Sequence, residues 1–284
     1  MRVAIIAGGL MLAFSTLVPA RAGEVPSPVA TTAIVRVEIA SSDGRKVPLT
    51  LTAPLAPRAV LLFSHGGGTA PDAMQAVADR FAALGYAVVM PTHTDSSAMP
   101  EAQRTSMQDA FATRIGDMQG AATFAEERFP GLPTAAIGYS YGSLFALMGG
   151  GALEPMVPGR IAGLKAVVMF SSPGTIPGLS DIPGALSGED VPSLLVTGTA
   201  DVVPGYVADP AAHLGYLDGL SAGDHTAIVV RDATHEFIRG TEPGMDEVAP
   251  LVADFLASRV LGDADAAARY AAAASTARIE IRRR

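Results

Sequence analysis

The chain has 284 residues, of which 49% are hydrophobic and 17% charged, and its formal net charge is −8. An acidic chain offers no broad positive surface, so we expect no nucleic-acid partner. The sequence contains no cysteine, which excludes disulfides, thiolate metal sites and a cysteine nucleophile.

The N-terminal 22 residues have the pattern of a secretory signal peptide. Met1-Arg2 is a basic start, Val3 to Val18 is apolar, and Ala20-Arg21-Ala22 has the small-x-small pattern that signal peptidase accepts. We therefore expect cleavage after Ala22 and export to a periplasm or the cell exterior; an uncleaved membrane anchor is the alternative. The remaining residues 23–284 are predicted to form one domain without stable membrane insertion.

The order of apolar segments predicts the fold class. Alternation in 31–40 and 47–54 predicts two antiparallel strands joined by a turn at Ser42-Asp43-Gly44. Continuous apolar runs then alternate with helical patterns, in the order AVLLFSH, YAVVMPTH, TAAIGYS, LKAVVMFSS, SLLVTGTAD and TAIVVRDATH. Such runs indicate strands covered on both faces, which predicts an α/β fold: a doubly wound, mostly parallel sheet with helices on both faces.

The rest of the chain is assigned by the same patterns. Helical spacing predicts helices over 71–84, 106–129, 245–261 and 264–279, with another directly after TAAIGYS. Segment 171–190 is rich in Pro, Gly and Ser and lacks helical periodicity, so no large lid domain is expected. The tail Arg282-Arg283-Arg284 is expected to be a frayed, solvated end.

The motif Gly138-Tyr139-Ser140-Tyr141-Gly142 lies between a predicted strand and a predicted helix. Gly-x-Ser-x-Gly in this position is typical of a nucleophile elbow, in which small neighbours permit a tight turn that exposes the serine. Ser140 is therefore the candidate nucleophile, and the N–H of Tyr141 at the helix N-terminus can stabilise an anion. The alternative is a serine that only caps the helix.

A serine nucleophile needs a histidine base and an acid that orients the base. In the chain order Ser…acid…His, His235 is the histidine that follows Ser140 and also ends a predicted strand. Asp201 ends the strand SLLVTGTAD and is the predicted acid, with Asp232 as its rival. An aspartate after a strand can also be a turn former, and a histidine there can merely cap a loop.

A glycine-rich turn, His65-Gly66-Gly67-Gly68, follows the strand AVLLFSH. Backbone N–H groups of Gly66 or Gly67 can complete an oxyanion hole with Tyr141, and we favour Gly67. His65 is expected to order this loop without transferring a proton. A plain strand-to-helix turn is the alternative.

These motifs resemble the α/β-hydrolase superfamily over nearly all of residues 23–284. The stretch LLFSHGGGTAPDAMQAVADRFAALGYAVVMPTH is similar to its dienelactone-hydrolase-like, acetylhydrolase-like and polyester-hydrolase-like branches. The resemblance puts the catalytic triad on Ser140, Asp201 and His235, and the oxyanion hole on Tyr141 and Gly66-Gly67. The chain departs from these branches because it has no cysteine for a dienelactone-hydrolase nucleophile and no tryptophan.

Two further residues, Arg114 and Asp117, look like an Arg-x-x-Asp pair that precedes the elbow in related sequences. At i and i+3 of a helix they are expected to form a surface ion pair of small value.

We therefore expect an exported serine hydrolase that cleaves a small-molecule carboxylic ester through an acyl-enzyme, with no cofactor and no metal. A peptidase, a thioesterase and an acyltransferase can use the same triad, and a non-catalytic binding protein can keep the fold. The sequence indicates no particular oligomeric state.

Overall fold

The computed structural model describes residues 32–154, 156–240 and 244–284. The predicted signal peptide and its cleavage site lie outside these residues. The strands are β1 Thr32–Ala40, β2 Lys46–Pro54, β3 Ala59–Ser64, β4 Tyr86–Pro91, β5 Thr134–Tyr139, β6 Leu164–Phe170, β7 Ser193–Ala200, β8 His225–Thr234 and β9 Ile279–Arg283. The α-helices are α1 Gln75–Ala83, α2 Ala110–Arg128, α3 Tyr141–Gly149, α4 Gly215–Gly219, α5 Met245–Val260 and α6 Ala264–Ala272.

All these strands belong to one sheet in the order β1-β2-β4-β3-β5-β6-β7-β8-β9. The strands from β3 to β8 are mutually parallel. The pairs β1–β2, β2–β4 and β8–β9 are antiparallel. The predicted mostly parallel sheet is confirmed, as is the hairpin at its start. Parallel strands bring their carboxyl ends to one edge, where open α/β sheets bind their ligands.

The core consists of two layers, one on each face of the sheet. Met118 of α2 and Phe145 of α3 lie in the layer on one face. Phe81 of α1, Phe255 of α5 and Tyr270 of α6 lie in the other. The prediction of helices on both faces is therefore confirmed. The central strands are buried throughout, because a sheet covered on both sides leaves no polar face.

The C-terminal prediction was wrong in two respects. The last helix ends at Ala272, and the strand β9 follows it antiparallel to β8. The arginine tail is consequently held in place: the N–H of Arg284 donates to the carbonyl of His225 at 2.9 Å. The Ala-rich helical pattern was extended too far, because alternation of Ile279 and Ile281 with charged residues indicates an edge strand.

Residues 171–192, all of them described, connect β6 to β7 through turns and contain no helix. The prediction that no large lid domain is present here is confirmed. Within the described part of the chain, no helix has the length and apolar character needed to cross a membrane.

Candidate active site

Ser140 occupies a strained turn between β5 and α3. Its backbone has φ 52° and ψ −125°, a left-handed region that residues with a side chain rarely adopt. The flanking glycines are required by contact: a Cβ on Gly138 would lie 2.3 Å from the carbonyl oxygen of Gly142, and one on Gly142 would lie 2.0 Å from that of Ser64. The Ser140 N–H donates to the carbonyl of Phe170 at 2.8 Å, which ties the turn to β6. The turn therefore has the geometry of a nucleophile elbow.

Asp201 and His235 meet at the carboxyl ends of β7 and β8. Nδ1 of His235 donates to Oδ1 of Asp201 at 2.7 Å, and Thr197 Oγ1 donates to Oδ2 at 2.8 Å. Burial disfavours the charged carboxylate, but hydrogen bonds from His213 and His235 outweigh burial and hold the pKa of Asp201 well below its usual value. Asp201 is thus a carboxylate that can orient the His235 ring.

The rival acid, Asp232, points away from this site. Its side chain is 76% exposed, and its carboxylate lies 3.5 Å from Arg278 at the surface. The structure therefore brings Asp201, and not Asp232, to His235.

Tyr139, the residue before Ser140, contacts His235. The ring of Tyr139 packs on the His235 ring with centroids 5.0 Å apart, and the Tyr139 hydroxyl donates to the His235 carbonyl at 3.1 Å. Among the described residues there is no hydrogen bond between the Ser140 hydroxyl and the His235 ring. Both side chains are partly exposed. Both residues follow the carboxyl ends of parallel strands, β5 and β8, and both side chains are accessible to a ligand at that edge of the sheet.

The glycine-rich turn after β3 lies against the elbow. A Cβ on Gly66 would lie 3.5 Å from Ser140 Cβ, and one on Gly67 would lie 3.5 Å from Tyr141 Cβ. The N–H of Gly68 donates to Asp95 at 3.1 Å. Within the described residues no acceptor contacts the N–H of Gly66 or Gly67. These two amides are therefore available beside Ser140, as an oxyanion hole requires.

The buried side chain of Arg114 holds the glycine-rich turn in place. The prediction that Arg114 and Asp117 form an ion pair on the surface was wrong. Arg114 has no exposed surface. Its guanidinium makes two hydrogen bonds of 2.9 Å to Asp95, and it donates to the carbonyls of His65 at 2.8 Å and Gly66 at 3.1 Å. Asp117, also buried, accepts from His93 at 2.9 Å. Each residue pairs with a distant partner, because both lie on the buried side of α2.

Two other histidines near the elbow support the loop. His65 and His93 are fully buried, and the His93 N–H donates to Nε2 of His65 at 3.2 Å. Burial, together with the positive charge of Arg114, holds the pKa of both rings well below the usual value. A lowered pKa favours the neutral form of both rings, which suits the predicted role of His65 in ordering the loop.

Sequence reasoning missed His213, which lies in the 3-10 turn Pro210–Leu214 after β7. Its Nε2 is 3.0 Å from Oδ1 of Asp201, and its ring stacks beside that of His235 with centroids 6.2 Å apart. One potential ligand atom from each of Asp201, His213 and His235 lies within 4.8 Å of the others. One carboxylate and two imidazoles suit Zn²⁺, but the nitrogens that face Asp201 already contact oxygens. The cluster is therefore organised as a hydrogen-bonded group.

Comparison with known sequences gives a family match over part of the chain. Residues 56–172, which include Ser140, match the family described as serine aminopeptidase, S33. No curated protein sequence matches the chain significantly.

Comparison with solved structures gives the fold. A Pyrococcus furiosus esterase, Pf2001, superimposes with a TM-score of 0.63 at 15% identity, covering 81% of this chain and 94% of that one. A cold-adapted esterase from an Arctic intertidal metagenomic library superimposes with a TM-score of 0.61 at 16% identity, covering 81% of this chain and 95% of the esterase. TT1662 from Thermus thermophilus superimposes with a TM-score of 0.55 at 19% identity, covering 81% of this chain and 98% of TT1662.

The sheet order, the strained serine and the family match agree with one another. The chain has the α/β-hydrolase fold, and within it residues 56–172 match one hydrolase family. These matches do not separate its branches, so the dienelactone-hydrolase-like and acetylhydrolase-like resemblance stays a prediction.

Proposed function

We propose that this protein is a serine hydrolase that cleaves small-molecule carboxylic esters. The observation that carries the proposal is the Asp201–His235 hydrogen bond of 2.7 Å at the sheet edge where Ser140 is held in a strained turn. An acid that orients a histidine at the sheet edge that also carries a partly exposed serine is the arrangement that can activate a hydroxyl nucleophile. Two of the similar structures are esterases by name, which supports the same chemistry here.

In the proposed reaction Ser140 Oγ attacks the ester carbonyl carbon while Nε2 of His235 takes the hydroxyl proton. Asp201 keeps the proton of His235 on Nδ1 and stabilises the imidazolium. The carbonyl oxygen becomes an oxyanion that accepts from the N–H groups of Tyr141 and Gly67 or Gly66. When the tetrahedral centre collapses, the C–O bond breaks and His235 returns the proton to the departing alcohol. Water then attacks the acyl-enzyme by the same steps and releases the acid.

The hydroxyl–imidazole contact that this reaction needs is absent among the described residues. Catalytic hydrogen bonds are often long or poorly aligned before substrate binds and tighten in the complex. We propose that substrate binding brings the Ser140 hydroxyl within hydrogen-bond distance of the His235 ring, which Tyr139 already contacts.

A peptidase is the second candidate, because the matching family is described as a serine aminopeptidase. Thioesterase and acyltransferase activities use the same triad and differ in the acceptor of the acyl group. We also propose export to a periplasm or the cell exterior, on the N-terminal pattern that ends at Ala22.

A substrate panel tests the proposal. We expect the mature protein to hydrolyse p-nitrophenyl esters across a series of acyl chain lengths faster than aminoacyl p-nitroanilides or acyl thioesters. Ser140→Ala is the matched control and should abolish turnover. Preferential hydrolysis of the anilides would establish the peptidase instead, and absence of turnover with every activated substrate would favour a non-catalytic binding protein.

A further inference from the structure

His213 is a buried histidine whose two ring nitrogens both meet oxygens. Nε2 lies 3.0 Å from Oδ1 of Asp201 and 2.9 Å from the Asp201 backbone carbonyl. Nδ1 is in hydrogen-bond contact with the carbonyl of Ser172, and the Ser172 hydroxyl donates back to the His213 carbonyl at 2.9 Å. The side chain has no exposed surface. The ring is thus fixed between the end of β7 and the segment after β6.

The partners of the ring determine its protonation. A backbone carbonyl can only accept a hydrogen bond, and a neutral imidazole carries a proton on only one of its nitrogens. In a neutral His213 one nitrogen lone pair would therefore face an oxygen lone pair, either at Ser172 or at Asp201. Such a buried, unmade hydrogen bond is costly. Protonation of both nitrogens satisfies every contact, and the carboxylate of Asp201 supplies the opposite charge.

We propose that His213 is a buried imidazolium that shares the carboxylate of Asp201 with His235 and acts as a positioning residue for that base. The effect of His213 on kinetics rests on the proposed function. The charge of His213 is inferred from the contacts of its ring nitrogens and does not depend on that function. Oδ1 of Asp201 is held from two sides, by His213 at 3.0 Å and by His235 at 2.7 Å. The positive charge of His213 therefore partly neutralises the carboxylate of Asp201 that faces the His235 ring.

The charged groups around His213 also favour its protonated form. Among the described residues, the titratable groups that contact the ring are Asp201, directly after β7, and His235, directly after β8. The segment after β6 contributes the neutral Ser172. Asp209 begins the same turn, but it is exposed and accepts from the Ala211 N–H. Burial opposes a charged ring, yet the hydrogen bond and charge of Asp201 raise the pKa of His213 above its usual value.

Loss of the His213 charge should change the pH dependence of activity in a definite direction. In the wild type, His235 faces a carboxylate that His213 already balances. Replacement of His213 by a neutral side chain leaves Asp201 uncompensated, which stabilises the protonated His235 ring. A protonated ring cannot accept the Ser140 proton, so activity should be lost at a higher pH than in the wild type.

Nitrogen-15 NMR of the histidine rings in the full-length mature protein tests the charge directly. We expect the signals of an imidazolium, with protons on both nitrogens, for His213 at pH 8; His213→Gln assigns the resonance. A neutral ring at that pH would overturn the proposal, and so would one equivalent of tightly bound zinc with unprotonated ring nitrogens. This readout does not depend on catalysis, so it separates failure of the inference from failure of the proposed function.

The pH profile of kcat/KM for an activated ester tests the positioning role. His213→Gln keeps a donor for Asp201 but carries no charge, and we expect its acid limb to move up by roughly 0.5–1 pH unit. The matched control is His225→Gln, which changes a buried histidine at the opposite end of β8 and should leave the profile unshifted. Equal profiles for wild type and His213→Gln, or a uniform loss of kcat/KM at every pH, would overturn the role.

Discussion

Oδ1 of Asp201 lies 2.7 Å from Nδ1 of His235, although the two residues are 34 positions apart in the chain. Asp201 directly follows β7 and His235 directly follows β8, and these parallel strands are neighbours in the sheet. The register of that pair is what brings the acid to the base. Gly198 permits it, since a Cβ there would lie 2.0 Å from the carbonyl oxygen of Ala233.

The acid can be tested against its sequence rival. Asp201→Asn keeps the shape of the side chain but removes the charge that orients His235, so we expect kcat/KM for an activated ester to fall about 10³–10⁴-fold. Asp232→Asn is the matched control, because that exposed carboxylate faces Arg278, and it should retain wild-type kinetics. A large loss of kcat/KM in Asp232→Asn, with little loss in Asp201→Asn, would show that Asp232 is the catalytic acid instead.

The elbow can be tested by adding one methyl group. In Gly142→Ala the new Cβ would meet the carbonyl oxygen of Ser64 at 2.0 Å, and the backbone there cannot yield as a flexible side chain can. We expect the free energy of unfolding to drop by about 3 kcal/mol or more, with loss of activity.

The control for this change is Gly131→Ala, at φ 75° with open space around it. That variant should lose only about 1 kcal/mol, the cost of a side chain in a left-handed conformation. Chemical denaturation of the three proteins compares them. Equal losses in the two variants would show that the elbow imposes no special steric constraint.

Arg114 and Asp95 are predicted to stabilise the glycine-rich turn as a pair. Breaking a buried ion pair leaves an uncompensated charge, so Arg114→Met or Asp95→Asn alone should cost about 3–5 kcal/mol in the free energy of unfolding. The double variant should cost less than the sum, because it removes both charges. A double-mutant cycle by urea denaturation measures this coupling. Strict additivity would mean that the two residues stabilise the turn independently.

Glu189 predicts a pH dependence of stability. The side chain is buried, and neither carboxyl oxygen has a hydrogen-bond partner among the described residues; Nδ1 of His225 lies 3.7 Å from Oε2, too far for a hydrogen bond. Burial, with a smaller contribution from the charge of Asp190, raises the pKa of Glu189 from 4.5 to about 8.

As the pH rises from 4.5 to 8, the unfolded chain ionises at Glu189 while the folded chain keeps the proton. Folding stability relative to acid pH therefore falls across this window, by on the order of 4 kcal/mol. Glu189→Gln should remove that fall, whereas Glu126→Gln, an exposed site on α2, should not. Urea denaturation at pH 5 and pH 8 measures the difference. Parallel behaviour of wild type and Glu189→Gln would show that Glu189 ionises normally in the folded state.

The parts of the structure that follow local rules could be predicted from the sequence. Continuous apolar runs indicate buried parallel strands, and the Gly-x-Ser-x-Gly motif carries its own steric requirement. Asp201 and His235 were selected by one further rule, that functional side chains follow the carboxyl ends of strands. The structure brings these two side chains together at that edge.

The remaining features depend on contacts that local patterns do not contain. The spacing of Arg114 and Asp117 fits a surface ion pair, and only the packing of α2 on the sheet shows that both are buried. His213 ends no strand, and its decisive partner is a backbone carbonyl 41 positions away. Backbone carbonyls are the same in every residue, so no sequence pattern indicates which one a distant side chain will meet.

The most direct test of the central claim is covalent labelling with a fluorophosphonate, read by intact-protein and peptide mass spectrometry. We expect one adduct per chain, on the peptide that contains Ser140, no adduct in Ser140→Ala, and greatly slowed labelling in His235→Ala. Equal labelling of wild type and Ser140→Ala, or an adduct on another serine, would contradict the account.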